Sequence, residues 1–360
     1  MFITGLGTAV PPRSYTQRES WEALQRANRP EITPRTRALL QGILNHDNGI
    51  ERRSLALDRL DDCFNIDPDT LYSRFVEHAP VLAARAAKQA LERAGKTADE
   101  IDMILVGTDS PDYITPATSV IVQDKLGAKR AGTFDVGCAC ASFPTAYTAA
   151  AGMMATNASL KTVLVIGVYM MHKLSNADDP MVFFYGDGAG AAILERSETP
   201  GFISSAFRAD GSYASRWSIQ AGGTVEPVTE ESVKSGHTRV KMFERYPPEI
   251  NNEGWPAVVR EVAKNGGFDV QEIDFLIFTQ VRKPTIELVM NDLGLPMSKT
   301  HTIMEKWGYT GSACIPMALD DALRQKKIKA GDLVVMVGSG VGYNQAGAAF
   351  RVPDDQRLWT

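Results

Sequence analysis

The chain has 360 residues, of which 44% are hydrophobic and 22% charged, with a net charge of −5. That length supports one large domain or two closely joined ones around a sizeable core, and the mild acidity gives no electrostatic ground for a nucleic-acid or anionic-membrane partner. Its four cysteines lack CxxC spacing, which argues against a disulfide framework or a structural zinc site.

No basic leader precedes a long apolar run, and no apolar stretch reaches 18 residues, so the expectation is a cytoplasmic protein with reduced thiols and no membrane partner. In chain order, residues 16–71 read as a helix-rich insertion that includes Pro34–Asn45. Residues Val81–Ala94 are rich in helix formers and stop at Gly95, a C-cap residue. Glu100-Ile-Asp102 and the strand-like run MILVG (103–107) follow. FDVG (134–137) then leads into the apolar helix pattern PTAYTAAAGMMA (144–155), the strand run TVLVIGVY (162–169) and AAILE (191–195).

A similar order returns in the second half. The helix pattern WPAVVREVAKN (255–265) is closed by Gly266-Gly267, and Glu272-Ile-Asp274 leads into FLIFT (275–279). THTIMEKWG (300–308), the helix pattern SACIPMALDDALRQ (312–325) and the strand run DLVVMVGSG (332–340) complete the series. Two matched series imply an α/β protein with an internal duplication, divided into 1–197 and 198–360. Their divergence keeps composition alone from establishing it. Residues Ser212–Pro248 have weak periodicity and are expected to form loops or an excursion over an active site.

The most informative segment is Asp135-Val-Gly-Cys-Ala-Cys-Ala-Ser-Phe143. A strand ends at Gly137 and a helix begins near Ser142 or Phe143, which puts Cys140 at or just before a helix N-terminus. Exposed backbone N–H groups and the helix dipole there favour a thiolate. The small neighbours Ala139, Ala141 and Ser142 admit a substrate carbonyl. Spacing alone leaves two other readings: both cysteines as small core residues, or a Cys-x-Cys metal or redox pair, which no histidine cluster supports.

The segment resembles the nucleophile region of ketoacyl synthase III, the initiating condensing enzyme of bacterial fatty acid synthesis and a member of the thiolase superfamily. Val106-Gly-Thr-Asp-Ser110 with Pro116-Ala-Thr118, Tyr185-Gly-Asp-Gly-Ala-Gly-Ala-Ala192 and Gly340-Val-Gly-Tyr343 fit the same family in the same order, and Gly49-Ile-Glu-Arg-Arg53 resembles an earlier family motif. The resemblance implies a thiolase fold, five-layered α/β/α/β/α from two duplicated halves, in a homodimer. It implies Cys140 as the nucleophile of an acyltransferase or condensing enzyme of fatty acid, polyketide or secondary metabolism. The Cys140 N–H and one from Gly340, Val341 or Gly342 would form the oxyanion hole. No metal or permanent cofactor is implied; the substrate would be a thioester of coenzyme A or of the phosphopantetheine of an acyl carrier protein.

The chain departs from this family where a histidine and an asparagine normally flank the cysteine. Those positions hold Thr279 and Tyr309, and none of the five histidines falls on either. A threonine is no general base near neutral pH, and a tyrosine of ordinary pKa near 10 can donate to an oxyanion but is a poor base. The tryptophan and arginine that often clamp the coenzyme A adenine correspond to Ile43 and Asp47. Gln280, Arg282 and Lys283 lie where a carrier phosphate or an acidic carrier protein would enter, although a solvated charged loop fits Arg282 and Lys283 equally. Acyl transfer onto Cys140 is the leading expectation. A catalytically degenerate subunit paired with an active paralogue is the alternative, and a thioester hydrolase or degradative thiolase fits least, because Cys314 reads as a buried helix residue.

Overall fold

The apolar runs form two sheets buried on both faces. The computed structural model describes residues 1–27, 32–45, 48–64, 77–175, 179–199 and 201–359. Its strands are β1 (Phe2–Ala9), β2 (Ser14–Thr16), β3 (Arg52–Ser54), β4 (Met103–Gly107), β5 (Gly132–Val136), β6 (Thr162–Tyr169), β7 (Gly188–Glu195), β8 (Phe202–Ala209), β9 (Trp217–Ser218), β10 (Lys241–Met242), β11 (Phe275–Phe278), β12 (Leu333–Gly340) and β13 (Asn344–Arg351). The principal helices are α1 (Gln17–Arg26), α2 (Pro34–Asn45), α3 (Ala79–Ala94), α4 (Thr118–Leu126), α5 (Ser142–Thr156), α6 (Gly254–Gly266), α7 (Lys283–Asp292) and α8 (Cys314–Arg324).

The first sheet has the order β1-β7-β6-β4-β5 and the second β11-β12-β13-β8. The β4–β6 pair is parallel, as is β11–β12; β6–β7 and β7–β1 are antiparallel, as are β12–β13 and β13–β8. Four strands of each half therefore repeat one topology, and β5 extends the first sheet. Side chains alternate across the sheet with period two. Ile104, Val106, Leu164, Ile166 and Val168 pack outward with Ala83, Ala86 and Ala90 of α3. Leu105, Val163, Val165 and Tyr169 point inward to Phe143 and Tyr147 of α5. Burial on both faces explains why these strands read as continuous apolar runs. Helices α5 and α8 share the central core between the sheets, and α6 covers the outer face of the second.

The halves meet reciprocally at two turns. A Cβ at Gly167 of β6 would lie 2.2 Å from the Ser312 carbonyl oxygen, in the 3-10 turn Gly311–Ala313 that opens α8. A Cβ at Gly338 of β12 would lie 2.7 Å from Cα of Ala141, in the 3-10 turn Ala139–Ala141 that opens α5. Each turn starts with positive φ, 47° at Ala139 and 40° at Gly311. Only a residue without a side chain lets the strands come this close.

Several expectations were incomplete. Strands β1, β8 and β13 are absent from the sequence reading because FITGLGTA, FISSAFRA and NQAGAAFR mix small and polar residues rather than forming an apolar run. Residues 212–248 hold the end of a 3-10 turn, the two-stranded ribbon β9–β10 and a short helix, Glu230–Lys234. The Gly-Asp-Gly stretch is a brace. The Asp187 carboxylate accepts from the Ala56 N–H at 2.7 Å and lies 2.5 Å from Nδ1 of His172, and its own N–H donates to the Ser54 carbonyl at 2.7 Å. Arg53, fully buried, donates to the Tyr185 carbonyl at 3.1 Å and to Oγ of Ser20 at 2.6 Å. These bonds fasten the insertion to the first half.

Removing one member of a buried polar pair leaves its partner unsatisfied. Asp187→Ala is therefore expected to lower unfolding free energy by about 3 kcal/mol or more, measured by denaturant titration. Asp187→Asn, which keeps an acceptor for Ala56, should lose less.

Candidate active site

Strand β5 delivers the cysteine turn. After Val136 the chain bends through Cys138, whose N–H donates to Oγ of Ser142 at 2.9 Å and whose carbonyl accepts from the Ala141 N–H at 3.0 Å. Helix α5 starts at Ser142, one of the two positions its sequence pattern allows. Cys140 points into the space between the halves and is 5% exposed. Its Sγ is hydrogen-bonded to Oη of Tyr309, itself 6% exposed.

The backbone of Tyr309 is stitched to the first half. Its N–H donates to the Phe184 carbonyl at 2.8 Å, and its carbonyl accepts from the Gly186 N–H at 2.9 Å. The Tyr309 ring lies 5.7 Å from that of Tyr169, centroid to centroid, which in turn stands 6.2 Å from Tyr185. Phe184 and Gly186, at the start of the sequence-matched stretch 185–192, thus hold the residue that touches Cys140.

Burial works against the expected thiolate. Desolvation pushes the Cys140 thiol well above its ordinary value, and the nearby Asp109 and Cys314 add to this; the Tyr309 hydroxyl and backbone pull the other way without winning. A helix N-terminus contributes partial charges from one turn, whereas removal from water acts on the whole charge. Tyr309 is also pushed up, first by burial and then by Cys140. Cys314 sits at the start of α8, fully buried, its thiol pushed up to about 12 by desolvation.

The other expected site residues separate into two groups. Near Cys140, Gly340 closes the turn from the second half: a Cβ there would lie 2.3 Å from the Cys138 carbonyl oxygen and 3.1 Å from the Cys140 nitrogen. Val341 follows it, and the Gly342 N–H donates to Oη of Tyr246 at 3.2 Å. Thr279, 1% exposed, ties β11 to β12, because its Oγ1 accepts from the Ser339 N–H at 2.9 Å.

Away from it, Gln280 is fully buried, and its amide nitrogen donates to the His301 carbonyl at 3.0 Å while its oxygen accepts from the Ile303 N–H at 2.9 Å. It is a brace rather than a ligand contact. Arg282 is exposed just ahead of α7, and Lys283 pairs with Glu305 at 3.4 Å. Asp47 and the side chain of Ile43 lie outside the described residues.

One residue at the site escaped the sequence reading. Asp109 lies two residues beyond β4 and accepts from Oγ of Ser312 at 3.0 Å. Burial raises its carboxyl to about 6 against the pull of Ser312. Its only sequence signal is membership of the Val106–Ser110 motif. Among the described residues, no group of histidine, cysteine, aspartate and glutamate forms a metal site, and no helix is long and apolar enough to cross a membrane.

The family models for 3-oxoacyl-[acyl-carrier-protein] synthase III match at residues 134–211, and those for its C-terminal part at 263–352. The chain is 32% identical to the beta-ketoacyl-[acyl-carrier-protein] synthase III of Syntrophomonas wolfei subsp. wolfei, over 99% of both proteins. It belongs to the 3-oxoacyl-[acyl-carrier-protein] synthase III family. A synthase III of Halalkalibacterium halodurans is 35% identical over 84% of this chain and 87% of that protein.

Solved structures agree. The synthase III of Aquifex aeolicus VF5 superposes with a TM-score of 0.78 at 26% identity, over 97% of this chain and 99% of that one. The priming β-ketosynthase of the R1128 polyketide pathway superposes at 0.80 with 26% identity, over 98% and 96%. The fold is thus the thiolase fold of five layers and two duplicated halves.

Tyr309→Phe keeps the ring packing but removes a donor that stabilises a thiolate. A hydrogen bond to a charged group contributes about 1.5 kcal/mol, so alkylation of Cys140 by iodoacetamide at pH 8 should slow by about tenfold. Peptide mapping by mass spectrometry reads this site by site, with Cys138 as internal reference.

Proposed function

We propose that this protein is an acyltransferase or condensing enzyme that takes an acyl group from a coenzyme A or acyl-carrier thioester onto Cys140 and passes it to an acceptor. The observation that carries this reading is the Cys140–Tyr309 contact at the end of β5, beneath the glycine end of β12. Membership of a family whose relatives are named beta-ketoacyl-[acyl-carrier-protein] synthases supports it.

Attack by the Cys140 sulfur on the thioester carbonyl puts negative charge on that oxygen. The Cys140 N–H and one from Gly340 or Val341 serve as its oxyanion hole, since the Gly342 N–H is engaged by Tyr246. Collapse of the intermediate releases the carrier thiol and leaves an acyl thioester on Cys140. The Tyr309 hydroxyl then stands beside the acyl group, where it can donate to an oxygen of the acceptor or of an enolate.

Thr279 and Tyr309 supply no ordinary base for a decarboxylative step. That favours an acceptor which is already a good nucleophile. Arg282, exposed at the head of α7, and Lys283 behind it are the basic groups proposed to meet the phosphate of the carrier. A homodimer fits β5, which ends its sheet with one edge outside the ladder.

Intact-protein mass spectrometry after incubation with a panel of acyl-coenzyme A and acyl-carrier thioesters tests the reading. The expected result is one acyl adduct that persists in Cys138→Ala and disappears in Cys140→Ala. An adduct that survives Cys140→Ala, or none from any donor, would refute it.

A further inference from the structure

Helix α8 ends in a turn that brings one lysine back over the helix itself. Lys326 takes a left-handed φ of 56°, a conformation usually left to glycine at a helix end. Its N–H donates to the Leu323 carbonyl at 2.9 Å, and the Lys327 N–H donates to the Ala322 carbonyl at 3.0 Å. The reversed chain sets the Lys327 amine against the ring of His301, with Nζ 2.9 Å from Nδ1. His301 comes from the loop ahead of the helical turn Met304–Trp307 and is 6% exposed. Its other ring nitrogen, Nε2, lies 2.6 Å from Oδ2 of Asp321 in α8.

The partners settle the tautomer. An ionised carboxylate only accepts, so Nε2 carries the ring proton, and Nδ1 is left with a lone pair for the lysine N–H. The Asp321 carboxylate also accepts from Nζ of Lys306 at 2.5 Å and from the Gln325 amide at 2.8 Å. Burial would raise its carboxyl, but His301 and Lys306 hold it below its ordinary value, so it stays ionised. Lys306 is thus engaged by the carboxylate, whereas Lys327 meets a base. A carboxylate, a histidine oriented by it and a nucleophile's N–H on the remaining ring nitrogen form the arrangement of an activated nucleophile. Unlike the Cys140 sulfur, this lysine is exposed to solvent.

We propose that Lys327 is an acyl-acceptor site, at which the His301–Asp321 pair promotes amide formation from an acyl thioester in solution. The neutral amine attacks the thioester carbonyl carbon, and a carbon–nitrogen bond forms as an Nζ proton passes to Nδ1 of His301. The carbon–sulfur bond then breaks, and that proton leaves with the sulfur as a thiol. One amine and one thioester give one amide and one thiol. Asp321 is a positioning residue: it holds the ring through Nε2–H and stabilises the imidazolium formed between the two steps. The product amide keeps an N–H for Nδ1.

The test is incubation of the whole protein with acetyl-coenzyme A at pH 8, with lysine acetylation followed over time by peptide mapping and mass spectrometry. Lys326 and Lys329 serve as references, since both are exposed in the same segment and neither pairs with a histidine among the described residues. Lys327 should acetylate at least about tenfold faster than either. A rate no higher than theirs, or no acetylation at all, overturns the proposal without any variant.

His301→Gln keeps a polar side chain that cannot take the proton, and should bring Lys327 down to the reference rate; an unchanged rate overturns the proposal. Asp321→Asn should lower the ratio of Lys327 to Lys326 labelling, and Asp321→Glu should recover part of it. Equal ratios in these two and the wild type overturn the role of the pair. Cys140→Ala separates this site from the function proposed above. Lys327 should label there as fast as in the wild type, whether or not Cys140 itself is acylated. Loss of the label in that variant would make Cys140 the donor and overturn uptake from solution.

Discussion

Two sheets can share one pair of central helices only if each sheet comes against the start of the helix that belongs to the other. That approach happens at Gly167 under the turn of Ser312 and at Gly338 and Gly340 under the turn of Cys140. A methyl group at any of them would stand within van der Waals distance of a backbone atom, so the half-to-half spacing, the helix starts and the position of the sulfur are one constraint. The turn that carries Cys140 is therefore held by both halves, although the first half supplies every residue in it.

The same closeness sets the chemistry. Pressing the halves together removes Cys140 and Tyr309 from water, and desolvation outweighs the field of one helix end. Among the described residues, what remains at the site is a set of neutral donors near one carboxylate, Asp109, without a histidine. On the acyl-transfer reading proposed above, that bears on what an acceptor must bring with it. The duplication matters here too, because the turn that positions sulfur in one half positions a serine hydroxyl in the other.

The sequence makes legible whatever is doubly buried or locally coded. β4, β6, β11 and β12 appear as apolar runs, α5 starts at Ser142, one of the two positions expected, and Gly95 caps α3 with φ of 63°. β1, β8 and β13 are not legible, since their small and polar residues gain their place only by pairing with β7 and with each other. Tyr309 could be aligned to the site, but its contact with Cys140 depends on backbone bonds to Phe184 and Gly186 from the other half. Asp109 reads as an ordinary loop carboxylate until β4 and β5 are set side by side. Gln280, beside two basic residues, looks like a surface contact, yet its amide satisfies three backbone groups in the core.

The buried sulfur has a consequence for the protein at rest. Oxidation by peroxide follows thiolate character and exposure, and Cys140 has little of either while no substrate is present. Cys63 and Cys314 are buried as well, which leaves Cys138 as the most accessible of the four thiols. An oxidising burst would thus meet Cys138 before Cys140, and on the acyl-transfer reading proposed above the capacity to form a thioester would outlast the first sulfenic acid.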